Sequence, residues 1–303
     1  MVKSMGASLY VPATHKDLRA IANGDKPLRA RSLIFCTEDA VAEKELSYAL
    51  FNLSVALANM KRDGASERFV RVRNPDVLAR VLAMPGVDKL AGFVIPKATR
   101  ENFDAYFRQV RDTDHMLMPT LETAEVFDDV EMRLFRQMLE QPGVRNRILA
   151  LRIGGNDLLA LLGLRRPRTM TLYSTPLGPV IAKLVTIFRP YGFMLTAPVF
   201  EHMDLPELLN QEMAEDIAYG MVGKTAIHPS QVGPIERHYR VAPRDLEAAV
   251  AILDKDSPAV FALHNSMCEV ATHRAWAERT VERSKLFGAH PCEPRLPAQA
   301  PRV

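Results

Sequence analysis

Two carboxylates stand just past the ends of short apolar runs: Glu122 after 116–120 and Asp157 after 148–153. Acids from successive strand ends can share one divalent cation. Two carboxylates, with the other positions left to water or substrate oxygens, are how proteins usually hold Mg²⁺. The alternative is that both are acids at helix N-termini, and Asp157, behind Gly154 and Gly155, also suits a helix cap. Those two glycines let the backbone turn tightly and approach whatever Asp157 faces, so Gly155 and Asn156 are candidate substrate contacts. Glu38 and Asp39 follow the run 32–36, Lys97 follows Pro96, and Glu201 and His228 follow later runs. Arg71 and Arg73 are two apart and would share one face of a strand. A buried pair of that kind needs an anion such as a substrate carboxylate, or else a pairing with Glu38 and Asp39. Lys97 is an anion anchor or, alternatively, a Schiff-base amine. Histidine is the side chain type best suited to proton transfer near neutral pH, so His228, with Glu38, is a candidate for it; the alternative is a structural contact at a rim.

The elements that must position these groups show in the hydropathy pattern. Short apolar runs at 8–11, 32–36, 69–73, 90–95, 116–120, 148–153, 193–197 and 225–227 alternate with longer amphipathic stretches. Eight strands and intervening helices over roughly 230 residues predict an α/β fold, a (β/α)₈ TIM barrel. No Gly-x-Gly-x-x-Gly follows an early strand, which disfavours a doubly wound nucleotide-binding sheet. A barrel carries its chemistry at the C-terminal ends of its strands, so the exit residues should converge on one mouth. The stretches 245–253 and 259–286 read as appended helices. The organisation predicted is a catalytic barrel over 1–240, a helical extension over 241–289 and a loose, proline-bearing tail over 290–303.

Composition narrows the classes of function. The 303 residues are 48% hydrophobic, enough for a large core, and the formal charge is only +3, from 39 basic and 36 acidic side chains. That balance gives no polyanion-binding field, so a nucleic-acid partner is not expected. Cys36, Cys268 and Cys292 have no paired metal or redox spacing, which points to a reducing, cytoplasmic setting. No signal-peptide core and no apolar run of ~18 residues is present, so no membrane partner is expected.

Six segments together carry a family resemblance. They are Cys36-Thr37-Glu38-Asp39-Ala40-Val41, Val70-Arg71-Val72-Arg73-Asn74-Pro75, Ile95-Pro96-Lys97, Leu121-Glu122-Thr123-Ala124, Gly154-Gly155-Asn156-Asp157-Leu158 and Gly223-Lys224-Thr225-Ala226-Ile227-His228-Pro229-Ser230-Gln231. In this order the chain resembles the HpcH/HpaI aldolase and citrate lyase beta-subunit superfamily. A second arginine after Arg71, and Thr196 to Glu201 in place of an Asp-containing strand end, bring it nearer the branch found with tellurite-resistance gene clusters. The resemblance implies a TIM-barrel, Mg²⁺-dependent C–C lyase, acting on a 2-oxo acid or other carboxylate, with an acyl-CoA thioester as a family expectation. It implies Glu122 and Asp157 as metal ligands, Arg71 on the substrate carboxylate with Glu38 and Asp39 beside it, and a homotrimer or hexamer packed through the C-terminal helices. Two other readings stand beside it: a Lys97 Schiff-base aldolase, and a barrel that binds a metabolite without turnover.

Overall fold

A computed structural model describes residues 5–62 and 64–291. The chain divides into two compact units, Met5–His238 and a second that begins at Tyr239. In the first, eight parallel strands follow one another: β1 (Gly6–Pro12), β2 (Ser32–Cys36), β3 (Glu67–Arg71), β4 (Gly92–Ile95), β5 (Met116–Leu121), β6 (Leu151–Ile153), β7 (Leu195–Thr196) and β8 (Gly223–Ala226). Their order is sequential from β1 to β7, with β8 beside β1. The ring closes where the Ala197 N–H donates to the Gly223 carbonyl at 2.8 Å and the Val222 N–H donates to Leu195 at 2.9 Å. The fold is the predicted TIM barrel. Its helices are α1 (Leu18–Asn23), α2 (Leu46–Asn59), α3 (Pro75–Leu82), α4 (Phe103–Val110), α5 (Asp129–Leu139), α6 (Gly155–Leu161), α7 (Leu177–Phe188), α8 (Pro206–Ala218) and α9 (Pro229–His238).

Alternation along the strands sorts the barrel interior into layers. Ile34, Phe69, Val94, Met118, Ala150 and Val222 form an apolar plug with Met5. Burying each large side chain of this kind contributes about 1.5–3 kcal/mol. Two residues further along the same strands the inward positions become Cys36, Arg71, Thr120 and Arg152. The register confirms one layer: Cys36 pairs with Arg71, Thr120 with Arg152, and Arg152 with Thr196. The core therefore turns from apolar to polar in a single step, at the end of the barrel where the strands stop.

The second unit holds α10 (Pro243–Leu253), strands β9 (Val260–Leu263) and β10 (Ser266–Glu269), and α11 (Val270–Phe287). Here the expectation of helix over 259–286 is corrected: its first third is an antiparallel hairpin. His264 and Asn265 both have positive φ, 52° and 61°. A two-residue turn with both centres left-handed is the one whose twist suits a hairpin, and Asn tolerates that region. Ala249, Ile252, Cys268 and Ala277 form the unit's small core. The tail expected over 290–303 lies, from Cys292 onward, outside the described residues. Among the described residues no helix is long and apolar enough to cross a membrane.

Candidate active site

Above the polar layer opens a cavity of about 530 Å³, whose walls include Tyr10, Asp39, Arg71, Glu122, Arg152 and Asp157. Glu122 follows the last residue of β5 and is buried, 4% exposed. Its Oε1 accepts the Lys97 backbone N–H at 2.8 Å and a guanidinium N–H of Arg71 at 3.1 Å. Lys97 can aim that N–H because its backbone sits in the left-handed region, φ 46°, a strained conformation for a side-chain-bearing residue. The other oxygen, Oε2, lies against Gly154. A Cβ on Gly154 would stand 2.3 Å from Oε2 and 2.4 Å from the Glu122 Cβ, so no other residue leaves this carboxylate in place. Burial raises the pKa of Glu122, partly opposed by Arg71. Asp157 lies in the first turn of α6, whose N-cap is Gly154, so its carboxylate is not spent as a helix cap. Its nearest ion-pair partner is Lys97 Nζ at 3.8 Å.

Two cations tie the acids together. Arg71 Nη2 lies 2.7 Å from Glu38, 3.0 Å from Asp39 and 3.1 Å from Glu122. Lys97 Nζ lies 2.7 Å from Glu38 and 3.5 Å from Asp39. Burial opposes the charge of both, yet the surrounding carboxylates outweigh it and hold both protonated, with raised pKa values. Burial raises Glu38, helped by its hydrogen bond with Asp39 and opposed by Arg71 and Lys97. Asp39 is lowered: burial works against its charge, but the hydrogen bond from Glu38 and the two cations prevail. Counted as ionised, four carboxylates (Glu38, Asp39, Glu122, Asp157) against two cations give a formal charge of 2 − 4 = −2 on this wall, the count before any proton is shared between Glu38 and Asp39. A divalent cation would cancel that excess. Among the described residues no group of three or more His, Cys, Asp or Glu is gathered as a metal site. A two-carboxylate site completed by water and substrate oxygens is the pattern that suits Mg²⁺ rather than zinc.

The C–C bond lyase family model of the TIM-barrel fold matches residues 1–289. The chain belongs to that family. It is 28% identical over 246 residues to (3S)-malyl-CoA thioesterase of Cereibacter sphaeroides, a match spanning 80% of this chain and 79% of the relative. The fold is shared with CitE of Mycobacterium tuberculosis, solved with magnesium, acetoacetate and coenzyme A. There the TM-score is 0.70 and the identity 19%, over 94% of this chain and all of that one. Haloferax volcanii malate synthase, solved with magnesium and glyoxylate, matches at TM-score 0.63 and 18% identity over 77% of this chain and 74% of its own. The lyase family also covers the six segments on which the resemblance rested.

Within this lyase the predicted site residues separate into two groups. Glu38, Asp39, Arg71, Lys97, Glu122 and Asp157 converge. Gly155 and Asn156 line the same cavity, and Asn156 Nδ2 donates to Glu201 at 3.1 Å. Arg73 does not join them. The strand ends at Arg71, so alternation no longer governs residue 73. Its guanidinium turns instead to the carbonyls of Thr37, Glu38 and Val41 in the loop after β2. His228 is likewise apart: it is exposed, and its Nδ1 contacts the Ser230 hydroxyl at 2.8 Å and the Ser230 N–H at 3.2 Å at the start of α9. The structure thus favours the rim contact over proton transfer for His228, and a loop-bracing role over substrate binding for Arg73. Four polar lining residues had been given no role from sequence: Tyr10, Thr120, Arg152 and Thr225. The available signal was Arg152 itself, a charge inside the buried apolar run 148–153.

Proposed function

We propose that this mouth holds Mg²⁺ on Glu122 and Asp157 and makes or breaks a C–C bond next to the carbonyl of a 2-oxo acid or similar small carboxylate. The observation that carries the reading is the excess of two negative charges on a wall that opens into the cavity. When bound, the ion would act as a Lewis acid on the carbonyl oxygen and lower the cost of the charge that C–C cleavage leaves there. The protein's own groups do the rest. Arg71 braces Glu122, Glu38 and Asp39 against one another through one nitrogen, and its buried Nε has no hydrogen-bond partner among the described residues. Lys97 holds Glu122 through its backbone and Glu38 through its ammonium. Among the acids not assigned to the metal, Glu38 has the higher proton affinity and shares a hydrogen bond with Asp39 on the cavity wall, which suits it to take up or return a proton. Support also comes from CitE and malate synthase, which share the fold and were solved with magnesium and small oxo acids. The same reading takes the protein as a cytoplasmic homotrimer or hexamer.

A Schiff-base mechanism fits less well. Lys97 is held as an ammonium by Glu38, Asp39 and Asp157, and only the neutral amine attacks a carbonyl. The test is exchange of the pyruvate methyl protons with deuterated water. Exchange that requires Mg²⁺, stops with EDTA and survives borohydride supports the proposal. Exchange that persists in EDTA and is abolished by borohydride in the presence of pyruvate transfers the chemistry to Lys97.

A further inference from the structure

Of the cations lining the cavity, Arg71 and Arg152, the second has no ion-paired carboxylate among the described residues. Arg152 is 2% exposed and projects from β6 into the polar layer. Its Nη2 donates to the Thr225 hydroxyl at 2.6 Å, its Nη1 lies 4.0 Å from the Met118 sulfur, and the Tyr10 ring centroid is 5.5 Å from its Cζ. The terminal nitrogens of the other buried cations meet carboxylates or backbone carbonyls, although the Nε atoms of Arg68, Arg71, Arg136 and Arg166 have no hydrogen-bond partner among the described residues. Arg71 has three carboxylates; Arg166 has Glu212, Lys224 has Glu212 and Asp216, and Arg136 has Glu140. Arg68, which lacks a carboxylate, donates to three backbone carbonyls. A buried guanidinium met only by one hydroxyl and a distant thioether sulfur is costly unless something else supplies the anion. Beside it in the register, Thr120 also lines the cavity, and its buried hydroxyl has no hydrogen-bond partner among the described residues.

We infer that Arg152, flanked by the hydroxyls of Thr120 and Thr225, is the anchor for a substrate carboxylate. This deepens the proposed function and rests on it for the neighbouring cation site. Arg71, the carboxylate ligand that the family resemblance implies, offers a less complete fork, because one of its two terminal nitrogens is already shared among three protein carboxylates. A planar carboxylate matches the guanidinium fork and leaves one oxygen edge for a threonine hydroxyl. A monoanion also suits the surroundings better than phosphate would, since a single positive charge faces it and an acidic wall adjoins it. The cavity is thereby divided: the acidic wall takes the metal and the reacting carbonyl, and the Arg152 floor takes the carboxylate that orients it. Substrates lacking a carboxylate would be excluded because they leave Arg152 uncompensated.

The test is calorimetry on the full-length protein, with pyruvate, malonate and inorganic phosphate as probes, each titrated with and without saturating Mg²⁺, and with Mg²⁺ alone. Arg152→Met should weaken pyruvate and malonate binding about ten- to hundred-fold, the loss of one charge-assisted forked contact. Affinity for Mg²⁺ alone should stay within about twofold. Arg152→Lys should recover part of the loss. Arg152→Met should melt no lower than wild type in the absence of ligand, because it removes an uncompensated buried charge. The inference is overturned if wild type binds neither carboxylate, if Arg152→Met binds both as wild type does, if phosphate binds more tightly than either, or if Arg152→Met melts well below wild type. A wild type that binds carboxylates through Arg152 yet takes up no Mg²⁺ would sink the proposed metal chemistry and leave this anchor standing.

Discussion

The barrel contains two clusters of charge, built from similar residues on adjacent parts of one scaffold, and they differ in balance. On the outer side of β8, Lys224 sits between Glu212 at 2.9 Å and Asp216 at 2.8 Å, and Arg166 reaches Glu212 at 2.5 Å. The Tyr173 hydroxyl donates to Asp216 and the Leu172 N–H to Glu212. Two cations meet two anions, all of them at most 2% exposed at the side chain. Burial would raise Glu212, but Lys224, Arg166 and the Leu172 N–H hold it below its ordinary value. At the mouth the corresponding sum is −2, the wall opens into a cavity, and Arg152 beneath it has no counter-ion. The closed cluster leaves no group with capacity for a ligand. The open one leaves both a surplus of negative charge and a free positive one, which are the two things that a metal and a carboxylate would each complete.

Breaking the closed cluster should have the largest effect on stability and none on ligands. Lys224→Met strands Asp216 in the core, leaves Glu212 with Arg166 alone, and should cost about 3–5 kcal/mol, read from urea unfolding. The Mg²⁺ affinity of the folded fraction should be unchanged. Gly154→Ala tests the open cluster in the opposite sense. Its backbone, φ −89° and ψ 78°, is open to alanine, so the effect is steric and local to Glu122. Displacing a ligand in this way should weaken Mg²⁺ about ten- to hundred-fold in calorimetry with a much smaller loss of stability. Arg73→Ala is expected to be the mildest. It removes hydrogen bonds to the loop after β2 and should cost about 1–2 kcal/mol, with pyruvate affinity within twofold of wild type. A tenfold loss of pyruvate affinity in Arg73→Ala would return that arginine to the binding site.

The sequence made most of the barrel legible because its strands are apolar runs ending in turn-formers and charges. The run 32–36 coincides with β2, and the exit residues Glu38, Lys97, Glu122 and Asp157 follow directly from it and its fellows. What it did not show depended on geometry beyond the strand. Arg71 and Arg73 share a spacing that implies a common face only while the strand continues, and β3 stops between them. His228 carries the right chemistry for proton transfer, but the chain has already turned into α9 when it is reached. Gly154 was visible as a turn-former, whereas its need to clear Glu122 is set by packing between β5 and β6. The hairpin at Val260–Glu269 was hidden because its turn is His-Asn rather than Asn-Gly, and its strands are only four residues each.

The most direct test of the account is a calorimetric Mg²⁺ titration of wild type, Glu122→Gln and Asp157→Asn. Each substitution removes one negative charge and nearly preserves volume. Wild type should take up one Mg²⁺ per chain, with at least a hundred-fold loss of affinity in either variant and both variants melting within a few degrees of wild type. No Mg²⁺ uptake by wild type at millimolar concentration, or unchanged uptake in both variants, would contradict it.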